Sequence, residues 1–144
     1  MKKIRIYLMA VILLTAVAGV TSCSDKDEPA TTTPPQWSAV SSPDFSVSMT
    51  AVVVLPDYLQ AYYQDGDPVA AFVGDQCRGT GTVIDGKFYV LIKGAAGETG
   101  KVTFKYYSHY SKYMYSTGEL MPFEADEIYG TTDAPKTIPL ELSK

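Results

Sequence analysis

Residues 37–144 predict an all-β fold, an antiparallel β-sandwich of about seven or eight short strands with an immunoglobulin-like arrangement. Short runs of apolar or alternating polar and apolar residues recur along this part of the chain. Turn-forming residues separate these runs at intervals of about ten residues. No stretch combines the helical spacing of apolar residues with capping residues. We therefore expect one domain built almost entirely from strands.

The first half of the domain contains three well-marked strands. Residues 46–55 (SVSMTAVVVL) begin by alternating and then become continuously apolar, which is typical of a strand whose end enters a core. Residues 69–73 (VAAFV) and residues 77–83 form the next two strands, and the Gly-Asp pair between them suits a type II′ turn. Before them, residues 56–63 predict at most one short turn of helix.

The clearest local signal is the Asp85-Gly86 pair, which favours a type I′ turn because Asp and Gly tolerate positive φ. The turn leads into a strand over residues 88–92, and another strand is predicted over residues 102–106. Shorter strands are predicted over residues 112–117, 120–123 and 136–142. Prolines within these late segments place them at sheet edges or strand ends, because proline donates no ladder hydrogen bond.

The first 22 residues predict a signal peptide. Three basic residues near the start precede an apolar stretch at residues 6–20, which is shorter than the roughly 20 residues that a permanent membrane-spanning helix needs. The four residues that end at Cys23 (VTSC) resemble the lipobox of bacterial lipoproteins, in which acyl chains such as palmitate are attached to the cysteine. This resemblance implies that Cys23 becomes the lipidated first residue of the mature chain. An ordinary signal peptide with an incidental cysteine is the alternative.

Residues 23–36 predict a tether between the lipidated cysteine and the domain. They contain no aliphatic residue larger than alanine after Cys23, and they are rich in acidic residues, threonine and proline, a composition typical of disorder. Residues 24–28 (SDKDE) resemble the acidic export signal of Bacteroidetes-type surface lipoproteins. The resemblance implies an outer-membrane lipoprotein exposed at the cell surface, with a periplasm-facing position as the alternative.

The charge of the mature chain argues against several partners. Removal of three basic residues with the signal peptide leaves nine basic against 16 acidic residues, a net charge of −7. An acidic module is repelled by nucleic acid and by anionic lipid surfaces. We therefore expect the membrane contact to be the N-terminal lipid anchor, and we expect no nucleic-acid partner.

A second resemblance lies within the domain. Residues 65–79 (DGDPVAAFVGDQCRG) resemble an uncharacterised β-sandwich module of Bacteroidetes surface proteins, which implies a β-sandwich and offers no catalytic residues. In this segment Cys77 is expected to be a buried small hydrophobe. Arg78 is expected to face the opposite side of its strand and to pair with a carboxylate such as Asp67 or Asp75, with a ligand contact as the alternative.

The most unusual composition is the tyrosine-rich stretch at residues 106–115 (YYSHYSKYMY). Tyrosine rings offer an apolar face with a polar tip, which suits stacking on sugars or anchoring a protein. Tyr107, Tyr110 and Tyr113 are therefore the predicted ligand-binding residues. The alternative is structural, since tyrosine is also a strand former that packs in cross-strand pairs.

The sequence predicts neither an enzyme nor a cofactor. It contains no nucleophile motif, paired acids or phosphate loop, and a site made of Cys77 and the single histidine, His109, is the remaining alternative. No metal site is predicted, although calcium binding near Asp57, Asp65 and Asp67 stays open. The expected function is a surface-anchored module that binds a glycan or a protein. A structural or accessory subunit of a larger envelope assembly is the second hypothesis.

Overall fold

The computed structural model describes residues 31–144. The signal peptide, Cys23 and the acidic run at residues 24–28 lie outside the described residues. Within the described part of the chain, no helix is long and apolar enough to cross a membrane. Residues 31–36, the described end of the predicted tether, form neither helix nor strand.

The described residues form ten strands and one short helix. In chain order these elements are β1 (Val47–Val54), α1 (Asp57–Gln60), β2 (Val69–Val73), β3 (Gln76–Ile84), β4 (Lys87–Gly94), β5 (Lys101–Ser108), β6 (Tyr113–Ser116), β7 (Met121–Pro122), β8 (Ile128–Tyr129), β9 (Lys136–Thr137) and β10 (Glu141–Leu142). The predicted all-β class is therefore confirmed. The four strands predicted between residues 46 and 92 match β1 to β4 closely, and the predicted turn of helix is α1.

The strands form one mixed sheet in the order β10-β6-β5-β2-β3-β4-β1-β8. Most neighbours are antiparallel, but β8 and β9 pair with β1 in parallel. The sheet curls around β3, whose first half pairs with β2 and whose second half pairs with β4. Among residues 31–144 the strands thus belong to one continuous curled sheet, and the predicted division into an immunoglobulin-like sandwich is not confirmed.

The core lies on the inner side of this curl. Alternate residues of β1, β4 and β5 point inward because successive side chains of a strand face opposite sides. The buried residues of these three strands on that side are Met49, Ala51, Val53, Phe88, Val90, Ile92, Val102, Phe104 and Tyr106. Strand β2 is buried along its whole length, since Ala70 and Phe72 pack on the outer side with Cys77 and Trp37.

Both predicted two-residue turns are present between paired strands. Gly74 has a φ of +61°, as the first central position of a type II′ turn requires. Asp85 and Gly86 have φ values of 51° and 77°, as both central positions of a type I′ turn require. These turns fix the register of the hairpins β2–β3 and β3–β4.

The late part of the chain departs from the predicted strands. Strands β7, β9 and β10 contain two residues each, and β8 was not predicted. Proline interrupts the ladder in this region, and Pro122 ends β7 at its short pairing with β5. Much of the segment is instead held by isolated backbone bonds to β1 and β5, such as the bond from the Ile138 amide to the Val54 carbonyl (3.1 Å).

Candidate functional site

One end of the sheet carries a cluster of exposed tyrosines. Tyr58 belongs to α1, Tyr62 follows one helical turn later, and Tyr110 lies in the loop that joins β5 to β6. The rings of Tyr62 and Tyr110 stack with centroids 4.7 Å apart and planes inclined by 23°. The exposed fractions of these two residues are 51% and 60%. We call these three residues the tyrosine end.

A buried carboxylate holds the two loops of the tyrosine end together. Oδ2 of Asp67 accepts hydrogen bonds from the Tyr106 hydroxyl (2.6 Å) and the Gln64 amide (3.0 Å). Oδ1 accepts from the amide of His109 (3.0 Å) and bonds to its ring Nδ1 (2.6 Å). The Asp67 side chain has no exposed surface, so these four hydrogen bonds offset the free-energy cost of burying a carboxylate. Asp67 therefore fixes the position of Tyr62 relative to Tyr110.

The same network perturbs the Tyr106 phenol. Burial raises the pKa of Tyr106 above its usual value, and the hydrogen bond to Asp67 and the negative charge of that carboxylate raise it further. The phenol stays protonated and remains a donor to Asp67. Sequence reasoning missed this network because its members are about 40 residues apart, and the only available signals were a common turn motif and a single histidine.

The chain before β1 packs across the outer side of the sheet. We define residues 31–40 as the N-terminal segment. The Thr32 amide donates to the Lys112 carbonyl (2.9 Å), and the Thr32 carbonyl accepts from the Tyr107 hydroxyl (2.8 Å). Further along, Trp37 packs edge-on against Phe72 with ring centroids 5.7 Å apart. The segment thereby covers the outer faces of β5, β2 and β3.

This covering corrects one of the predicted ligand-binding residues. Tyr107 points outward, as predicted, but it is 1% exposed because the N-terminal segment lies over it. Tyr113 is half-buried and pairs with Ser108 across the β5–β6 hairpin. Only Tyr110 of the three is well exposed, so Tyr107, Tyr110 and Tyr113 do not form one surface. The partners of Tyr110 are the tyrosines near α1, which sequence reasoning did not single out.

A cleft opens between the N-terminal segment and the β5–β6 loop, next to Tyr110. Its volume is about 470 Å³. The residues that line it are Thr31, Thr32, Thr33, Pro34, Tyr107, His109 and Lys112. The side chain of His109 is 38% exposed, and its Nε2 bonds to no other described residue. We call this space the N-terminal cleft.

Cys77 and His109 do not form a site together. Cys77 is buried beside Ala70 and Phe72, as predicted, and its thiol lies 3.6 Å from the Gly79 carbonyl. Burial raises the pKa of this thiol. The imidazole of His109 bonds to Asp67 instead. The arrangement leaves the cysteine protonated and away from a base, which is unsuited to nucleophilic chemistry.

Arg78 forms the predicted ion pair, but with a different partner. Its guanidinium makes two bonds to Glu98, at 2.8 Å and 2.6 Å, and packs over the Phe45 ring at 4.2 Å. The hydrogen bond from Arg78 lowers the pKa of Glu98. The prediction of Asp67 or Asp75 was wrong because the β3–β4 hairpin brings the loop after β4 back beside β3. Arg78 is therefore a structural residue of this hairpin.

The carboxylates considered for calcium are not gathered around an empty space. Both oxygens of Asp67 are occupied by hydrogen bonds, while Asp57 and Asp65 are exposed. Within residues 31–144 no group of three or more His, Cys, Asp or Glu side chains has the arrangement of a metal site.

Comparisons with protein-family models, with curated proteins and with solved structures find no match to this chain.

Proposed function

We propose that this chain is a lipoprotein anchored in the outer membrane through Cys23, and that its β-domain is a non-enzymatic module that binds a glycan or a protein. The binding surface is the tyrosine end. The signal peptide, the VTSC motif and the acidic residues that follow it support the anchor and the surface location.

The observation that carries the binding function is the exposed stack of Tyr62 and Tyr110. An aromatic ring that serves only to fill a core is usually buried. Here each ring keeps about half of its surface in solvent while its orientation is set by the other ring. A sugar ring or an apolar side chain of a protein can pack on such a platform at little cost in side-chain entropy.

The setting of the platform also supports recognition. The network around Asp67 connects both loops that carry the stacked rings, so the platform exists before a ligand arrives. Preorganised contacts raise affinity because binding then orders fewer groups. The non-enzymatic part of the proposal is supported by the burial of Cys77, which leaves this thiol without a histidine partner among the described residues.

A different surface favours the second hypothesis, a subunit of an envelope assembly. Leu91 of β4, Thr50 of β1 and Ile128 of β8 lie side by side in register on the outer side of the sheet. Leu91 and Ile128 are 50% and 63% exposed. Exposed apolar residues on neighbouring strands of one sheet face are suited to a protein interface.

Paired variants of the mature chain separate these functions. We expect glycan arrays and pull-down experiments with residues 24–144 to yield a ligand, and Tyr62→Ala with Tyr110→Ala to weaken its binding by about tenfold or more. The matched control changes Leu91 and Ile128 to Ala. Loss of a stoichiometric envelope partner in that control alone would support the assembly subunit instead. A folded chain that retains no glycan and no protein would refute the binding function.

A further inference from the structure

We propose that the N-terminal cleft is a subsite for a carboxylate-bearing saccharide, such as one that contains a uronic acid. This inference rests on the proposed binding function and deepens it by naming the ligand class. The cleft adjoins the tyrosine end, because His109 and Lys112 lie in the same loop as Tyr110. Its volume of about 470 Å³ lies within the range of ligand sites in proteins.

The charged groups of the cleft suit an anion. Among residues 31–144, the titratable side chains that line it are Tyr107, His109 and Lys112, and none of these lining residues is a carboxylate. The ion pairs among residues 31–144 are Arg78 with Glu98 and His109 with Asp67, so the ammonium of Lys112 has no carboxylate partner there. A cation that borders a cleft and has no carboxylate partner among the described residues is placed to bind a carboxylate of a ligand.

His109 supplies a second polar group with a fixed orientation. Its Nδ1 bonds to Asp67, which leaves Nε2 available at the cleft. Neutral imidazole that donates through Nδ1 accepts at Nε2, for example from a sugar hydroxyl, and the protonated ring donates there to a carboxylate. The Asp67 carboxylate has no exposed surface, so it makes no direct contact with a ligand in the cleft.

The threonines and tyrosines complete a saccharide site. Thr31, Thr32 and Thr33 also line the cleft and offer hydroxyl and backbone groups for hydrogen bonds. The stack of Tyr62 with Tyr110, which shares a loop with His109 and Lys112, provides an apolar face on which a further sugar unit can pack. Salt screens the net charge of −7 that the mature chain is expected to carry beyond a Debye length of about 8 Å.

The test compares acidic oligosaccharides with their neutral methyl esters, which keep the sugar skeleton. Calorimetric titration of residues 24–144 uses trigalacturonate, a mannuronate trimer and sialyllactose as probes. At least one acid is expected to bind about tenfold more tightly than its ester. Lys112→Asn is the decisive variant, because Lys112 has a φ of +64° and Asn tolerates this conformation. The charge is thereby removed without new backbone strain.

We expect Lys112→Asn to abolish most of the preference for the acid over the ester. Lys101→Gln, which removes a charge at the other end of β5, should leave it unchanged. Equal affinity for acid and ester, full affinity in Lys112→Asn, or no binding of any acidic probe would overturn the carboxylate subsite. If neutral glycans or a protein still bind through Tyr110 in those cases, the proposed function stands. Loss of every ligand would remove both.

Discussion

Replacement of Asp67 by Asn is the sharpest test of how the tyrosine end is held. The carboxylate accepts four hydrogen bonds through two oxygens, whereas the Asn side chain keeps one carbonyl oxygen and places an amide group at the other position. Two of the four donors therefore lose their acceptor and face another donor. The Asn side chain can place its amide group at either oxygen position. The pair of donors that loses its acceptor is therefore the pair whose loss costs less free energy.

The cost follows from these lost bonds. A hydrogen bond to a charged group contributes about 1.5–3 kcal/mol. Because the two bonds from His109 to Oδ1 are only partly buried, the lower end applies. Asp67→Asn should thus lower the free energy of unfolding by about 3 kcal/mol. With a urea slope of about 1.5 kcal/mol per molar, the midpoint falls by about 2 M.

Urea unfolding followed by tryptophan fluorescence measures this directly. Trp37 is the only tryptophan and packs on Phe72, away from the substituted residue. The matched control is Asp65→Asn, which changes an exposed acid two residues away and should shift the midpoint little. If Asp67→Asn and Asp65→Asn shift the midpoint equally, the carboxylate does not hold these loops and our reasoning about the platform fails.

Three further predictions concern other parts of the domain. The pKa of Glu98 is lowered by its arginine partner, so the ion pair should stabilise the fold fully above the usual glutamate pKa of 4.5 and lose this contribution as the pH falls below that value. Glu98→Gln should flatten this acid dependence of the melting temperature, and an unchanged dependence would contradict the prediction. Gly79→Ala should destabilise the fold by about 3 kcal/mol or more, because a methyl group there overlaps the Leu91 carbonyl of β4. An unchanged urea midpoint would show that β3 and β4 can move apart to accommodate the methyl group. Removal of residues 31–36 should expose Tyr107 and lower stability by about 1–2 kcal/mol through the loss of its hydrogen bond and cover; hydrogen exchange in β5 that matches the longer chain would contradict this.

The regular part of the fold was predictable because its signals are local. The runs at β1 and β2 and the Asp85-Gly86 turn each depend on residues close in sequence. The period of two in apolar residues assigns faces, and the turn residues assign register. The late strands were predicted less well, because β8 and β9 are two-residue pairings with β1 that their own sequences do not specify.

The predicted binding residues show where local reasoning ends. Tyrosine content drew attention to residues 106–115, and Tyr110 is exposed there. Strand alternation also placed Tyr107 on the outer side, but alternation assigns a face and does not state what covers it. The N-terminal segment, about 75 residues earlier in the chain, covers that ring. Likewise, the stack with Tyr62 joins loops that are 48 positions apart.

The sequence by itself thus determined the all-β class, the main hairpins and their turns, and it predicts the lipid anchor at Cys23. The tertiary structure alone decided the single curled sheet, the pairing of Arg78 with Glu98, and the buried Asp67 that joins the tyrosine loops. Strand periodicity and turn conformation depend on neighbouring residues, so short segments of the sequence are enough to predict them. A buried charge selects its partners from whatever donors the folded chain brings within hydrogen-bond distance, and no short segment specifies that set.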